Sequence, residues 1–293
     1  NMKKKSSLKH TGAFWAFCAP CCILFGVFFL VPLVLSIAFS FTNYDGWKTI
    51  DFVGLTNYIT LFKDSKFYLS LGRTLLYTVC TLPFRVIIPL LVAVLLCSKR
   101  VAGKSLTRTM VYIPVLMSSL VVGITINWMF SQEYGLVNFI IRSLGGTALE
   151  WSLNPRLATF VIAFASVWAS IGFNMILYIG GINSISNDLY EAATIDGASG
   201  VQAFFRITVP MLAPTTFMVV LLSTVNLLKE YALVQGITQG GPGLSTTFII
   251  QYIFDKGFNQ MQYGYASAIS TVVMIIFALI AFAQFKVNNG GET

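Results

Sequence analysis

"LATFVIAFASVWASIGFNMILYIGGINSISN" runs from Leu157 to Asn187 without a charged residue, and "DLYEAATIDGASGVQAFFRITVP", from Asp188 to Pro210, follows it directly. The first stretch is long enough to cross a bilayer, which takes ~20 mostly apolar residues in a helix. The second carries Asp188, Glu191, Asp196 and Arg206 with glycines at 197 and 200. Charges are costly at the centre of a membrane. The chain therefore leaves the bilayer near Asp188 and re-enters near Pro210.

The pattern repeats along the chain. No charged residue occurs in 11–44, 109–132, 157–187, 207–228 or 257–285, and Arg85 is the single charge between Arg73 and Lys99. The composition is 56% hydrophobic and 10% charged, against about 25% charged in soluble domains. Six windows satisfy the length requirement: 13–40, 72–97, 109–130, 157–182, 209–232 and 266–285. The fold class expected is an all-α membrane protein with six transmembrane helices. Residues 1–12 form a basic tail, 13–286 the transmembrane domain with an interhelical loop at about 183–210, and 287–293 a short tail.

Several other readings are weaker. The basic start "NMKKKSSLKH" followed by apolar residues resembles a signal peptide, but the apolar run reaches Phe41, beyond the ~7–15 residues of a signal core. Cys18, Cys21 and Cys22 lie inside an apolar helix with no histidine or acid beside them, so no metal or redox site is expected. The net charge of +8 is concentrated in Lys3, Lys4, Lys5 and Lys9 and in Lys99, Arg100, Lys104 and Arg108. Short basic loops of this kind mark the cytoplasmic side of membrane proteins rather than a nucleic-acid surface. Both termini and the 183–208 segment are then cytoplasmic. That segment has three acids and one arginine, the reverse of what its side favours, and a protein partner would account for it.

Local rules predict a helical hairpin there. Asp188 with Glu191 three residues on reads as a capping box. Leu189, Ala192 and Ala193 share a face, Gly197 supplies a left-handed C-cap, and Ser199 with Gln202 reads as a second capping box.

The stretch resembles the cytoplasmic loop of bacterial ABC importer permeases, whose motif is E-A-A, two residues, D-G-A, about eight residues and I-x-L-P. Here stand Glu191, Ala192, Ala193, then Asp196, Gly197, Ala198, then Ile207, Thr208, Val209 and Pro210, with Val209 in place of leucine. "FVGLTNYITLF" (52–62), "GGPGLSTT" (240–247) and "YGYASAIS" (263–270) are similar to segments of the carbohydrate permeases of that group, of the maltose and oligosaccharide type. The resemblance implies a type I importer fold with a cytoplasmic coupling helix, in the inner or plasma membrane of a bacterium. It implies a second homologous permease subunit, as a heterodimer, two ATP-binding subunits, and an extracellular or periplasmic solute-binding protein. The first short helix would dock on an ATPase through Glu191, with Ala192 and Ala193 permitting close seating and Gly197 the turn. No cofactor is implied for this chain, ATP and magnesium belonging to the ATPase. The sequence contains no G-x-x-x-x-G-K-[ST] phosphate loop.

Polar residues within spans usually face a cavity or the bundle interior. Asn127, Ser166, Ser170, Asn174, Asn226, Lys229 and Glu230 are the candidates for a substrate pathway, with hydroxyl-binding groups suited to a carbohydrate. Interhelical hydrogen bonding is the competing reading, and Lys229 and Glu230 could pair with each other. Arg85 has no acid in its own helix to pair with, so its partner is expected in another helix or subunit. The alternatives to a sugar importer subunit are an ABC permease for another solute, such as an amino acid or glycerol phosphate, and a stand-alone secondary transporter. An integral membrane enzyme lacks support, since the single histidine, His10, is in the basic tail and the acids are scattered.

Overall fold

A computed structural model describes residues 15, 17–47, 50–98 and 103–289. The 1–12 tail, Lys99, Arg100 and the final residues from 290 lie outside the described residues. Apart from one isolated bridge between Thr42 and Phe52, the regular structure among the described residues is helical. In chain order the helices are α1 (Phe17–Phe39), α2 (Thr56–Lys63), α3 (Ser65–Cys97), α4 (Lys104–Leu116), α5 (Ser119–Met129), α6 (Leu136–Ser143) and α7 (Pro155–Asn183). They continue as α8 (Asn187–Ile195), α9 (Gly200–Met211), α10 (Ala213–Leu228), α11 (Ala232–Ile237), α12 (Ile249–Phe254) and α13 (Tyr263–Asn289).

Helices α1, α3, α7 and α13 are each long and apolar enough to cross a membrane. The two remaining expected spans are bent pairs: α4 meets α5 at 101° and α9 meets α10 at 67°. Counting each pair as one span brings the total to six. A proline lies beside each bend. Pro114 sits in the last turn of α4, after which Met117 and Ser118 are extended. Pro214 lacks the N–H that would continue the ladder from Pro210, and Leu212 between them departs from helical ψ.

The chain divides into two compact units. The first comprises the described residues up to Asp64 together with Ile253–Ile276. Within it, Asn57 donates to the carbonyls of Ser40 and Thr42, each at 2.9 Å. Tyr265 donates to the Asp64 carboxylate at 2.7 Å. Gly264 packs so closely on the Thr42 carbonyl that a Cβ has no room.

The second unit, Ser65–Tyr252 with the chain from Phe277 onward, contains the candidate sites. Its organising helix is α7, started by Asn154, whose side chain accepts from the N–H groups of Arg156 and Leu157, and by Pro155 in the first turn. One core cluster joins Tyr77, Ile126, Trp151, Ile162, Leu227 and Phe248. Another joins Ala93, Met175, Tyr178, Leu212 and Val219. Small residues set the closest approaches, as expected where van der Waals packing holds helices together in lipid. A Cβ on Gly172 would lie 2.7 Å from the Val111 carbonyl oxygen, and one on Gly236 would lie 2.9 Å from Gly123 Cα.

Candidate functional site

Two features meet the requirements set by the sequence: an exposed hairpin and a cavity that gathers several polar side chains. In the hairpin, α8 begins after Ser186, whose hydroxyl accepts from Asp188 N at 3.3 Å. Asp188 is therefore not the N-cap. It lies in the first turn, where its charge complements the positive helix end, and Glu191 falls beyond the third helical position. The cause is tertiary: Ile185 is buried in a core cluster and fixes the chain before Ser186. At the other end, Ala198 N donates to Ala193 O at 2.8 Å and Gly197 N to Thr194 O at 3.1 Å, a Schellman closure. Gly197 has φ +76°, with nothing near the position of a Cβ. Ser199 and Gln202 form the reciprocal capping box as expected, with Ser199 N donating to the Gln202 side chain at 2.7 Å. The hydroxyls of Tyr190 and Thr208 pair at 2.9 Å and brace α8 against α9.

No residue of α8 is buried. Glu191, Ala192 and Asp196 are exposed and Ala193 and Ala198 partly so, while Ile195 is 86% exposed. Pro210 stands in the last turn of α9, just before the bend into α10. The hairpin is thus fully capped and braced, and it presents a small-residue face with apolar and acidic edges.

The cavity, of about 540 Å³, lies at the break between α4 and α5, against α7 and the α10–α11 connection. It brings together Ser170, Asn174, Asn226, Lys229 and Glu230 with Arg85. Asn127 is exposed and does not line it. The partner of Arg85 proves to be a backbone carbonyl, with Nε and Nη2 donating to Ser166 O at 3.2 and 3.0 Å. Glu230 lines the same cavity. Asn174 donates to Arg85 O at 2.9 Å and to Ser223 Oγ at 3.2 Å. The Glu230 carboxylate accepts from Leu233 N at 3.4 Å and so closes the first turn of α11.

These contacts sort the candidates. Ser166 and Asn174 are buried and Asn174 is committed to joining α3, α7 and α10. Asn226 and Lys229 are exposed, and Ser170 and Glu230 partly exposed, so their polar atoms can reach a molecule in the cavity. Ser223 was missed by the sequence reading, as was the reason Asn174 is needed. A signal for the latter exists: Pro89, four residues after Arg85, has no N–H to offer the Arg85 carbonyl, and Asn174 supplies the donor.

Residues 58–289 match the family described as "Binding-protein-dependent transport system inner membrane component". The chain is 32% identical to the arabinooligosaccharides transport system permease protein AraP of Bacillus subtilis (strain 168), covering 94% of this chain and 88% of that protein. It is 32% identical to the lactose transport system permease protein LacF of Rhizobium radiobacter, covering 92% of each. Among solved structures it resembles a chain of a bacterial alginate ABC transporter, crystallised in complex with an alginate pentasaccharide-bound periplasmic protein. The TM-score is 0.83 at 23% identity, over 95% of this chain and 94% of that one, a likeness of fold.

Proposed function

The chain belongs to the family of binding-protein-dependent transport system inner membrane components, and from that premise we propose that it is a membrane-spanning permease subunit of an ATP-driven importer of sugars or oligosaccharides. Relatives named for arabinooligosaccharides and lactose support the substrate class. The family and the alginate assembly support an external solute-binding protein as a partner. In this reading a second permease subunit completes the pathway, two separate ATPase subunits hydrolyse ATP, and the chain itself is not an enzyme.

The observation that carries the coupling part is the α8–α9 hairpin, capped at each end, braced by Tyr190 and Thr208, and without a buried residue in α8. A flexible loop would absorb motion, whereas a rigid lever passes it to the span that follows Pro210. Coupling of this kind requires an element with two discrete packings. Glu191 supplies a charged contact to the ATPase and the alanines close seating. Within the cavity, Asn226, Lys229, Glu230 and Ser170 offer hydrogen-bonding groups to sugar hydroxyls.

The test is reconstitution of the chain with its partner permease, ATPase and binding protein in liposomes, with uptake and ATPase rate measured over a panel of sugars. Stimulation by at least one carbohydrate, with Glu191→Lys abolishing uptake while assembly in the membrane persists, is the expected result. Normal uptake by Glu191→Lys would overturn the coupling role. Stimulation only by non-carbohydrate solutes would overturn the substrate class.

A further inference from the structure

A second cavity, of about 660 Å³, lies in the same unit on a different face of α3 and α7, and the mechanism above does not use it. Its walls are apolar, including Leu76, Phe84, Phe160 and Phe164, all substantially exposed at the surface of the unit. Two charges line it, Arg73 and Arg156.

The geometry puts both charges at one end. Arg85 of α3 bonds to Ser166 of α7, and Cys97 and Ile182 near the ends of these helices line one common pocket. The two helices therefore run in the same direction. Arg73 precedes Arg85, and Arg156 precedes Ser166, by similar lengths, about 18 and 15 Å at 1.5 Å per residue. From the arginines the groove descends to Ile88 and Val167, a run of roughly 16–22 Å. Half of a ~30 Å hydrocarbon core is about 15 Å. Arg156 also stands in the first turn of α7, where the helix dipole favours an anion. Arg73 spends one donor on the Leu244 carbonyl, out of the five a guanidinium carries.

We propose that this groove is a binding site for one anionic phospholipid, its phosphate held between Arg73 and Arg156 and one acyl chain lying along α3 and α7. An apolar trough one leaflet deep, open to the side and ending in two arginines, matches that molecule in both length and charge. A helix of a partner subunit would match the apolar walls but would not by itself supply an anion for the two cations at that end.

Cys80 lines the groove and is an exposed free thiol, which makes it a reporter. In the assembled transporter, with Cys18, Cys21, Cys22 and Cys97 changed to serine, maleimide labelling of Cys80 is measured in nanodiscs of phosphatidylglycerol or phosphatidylcholine. Native mass spectrometry counts retained lipid. Phosphatidylglycerol should be retained and should protect Cys80, with a preference of roughly tenfold to thirtyfold from two basic residues. Arg73→Gln with Arg156→Gln should erase the preference while leaving assembly unchanged. Equal protection by both lipids, a preference that survives the double substitution, or cross-linking of Cys80 to a partner subunit's helix would overturn the proposal.

Discussion

Replacing Asn174 with leucine tests whether this side chain repairs a backbone defect made by a proline. Leucine has nearly the same size, so little cavity is created. Two hydrogen bonds disappear, those to Arg85 O and Ser223 Oγ. Such bonds in membrane bundles average ~0.6 and reach ~1.7 kcal/mol each, so the loss is about 1–3 kcal/mol. The larger share belongs to the Arg85 carbonyl. In an unbroken helix the N–H of residue 89 would satisfy it, but that residue is Pro89, and an orphaned buried carbonyl costs ~1–3 kcal/mol. The substitution is therefore also made in a Pro89→Ala background, where the helix can close its own bond. There Asn174→Leu should cost only the Ser223 contact, about 0.6 kcal/mol. The measurement is equilibrium unfolding of the purified chain in mixed micelles by sodium dodecyl sulfate titration, followed by tryptophan fluorescence. The coupling energy comes from the double-mutant cycle. An equal cost in both backgrounds would refute the reasoning, because it would mean that the carbonyl does not depend on Asn174.

Three further outcomes follow from local geometry. Gly197 is left-handed with open space around it, so substitutions should rank by backbone preference rather than size; in an uptake assay Gly197→Asn should retain far more activity than Gly197→Val, since αL costs ordinary residues ~1–2 kcal/mol. Asn138 is fully buried, donates to Gln132 O and Leu149 O and accepts from Leu149 N and Trp151 Nε1; Asn138→Leu should cost about 3 kcal/mol or more in unfolding experiments and open 131–154 to protease. Gly236→Ala would press a Cβ to 2.7 Å from Leu120 O and should destabilise by ~1–3 kcal/mol, whereas Gly180→Ala, with nothing within 4 Å, should be silent in the same titration.

What the sequence made legible was local. The left-handed glycine at 197 and the Ser199–Gln202 box depend on a few neighbouring residues and appear as expected. The cap at Ser186 instead of Asp188 depends on where Ile185 is buried, and both residues are good caps on local grounds. Hydropathy windows located the apolar runs but carry no direction, so the 101° and 67° bends were not visible, although Pro114 and Pro214 mark them. Asn127 and Asn174 looked equivalent as polar residues in spans; only the packing of α7 against α3 and α10 separates them. The partner of Arg85 was unreadable for the same reason, being a carbonyl in another helix.

The cost of each polar group inside this bundle also explains which ones are left to act. Arg85 is buried yet bonded twice to one carbonyl, and Asn174 is spent on a proline's missing donor. Neither can release its partner without leaving a buried polar group unpaired. Under the proposed function, a sugar in the cavity would meet the polar groups that keep some exposure there, Asn226, Lys229, Ser170 and Glu230. The last also accepts from Leu233 N in the first turn of α11, and α11 packs on α5 through Gly236 and Gly123. A ligand that draws the Glu230 carboxylate toward itself therefore loosens the first turn of α11 at its contact with the broken span. Glu230→Gln keeps an acceptor for Leu233 N but removes the charge. It should weaken sugar-dependent stimulation of the ATPase with little change in the unfolding midpoint, whereas Glu230→Ala should lower both. Equal effects of the two substitutions on the midpoint would show that the bond to Leu233 N is not what holds α11.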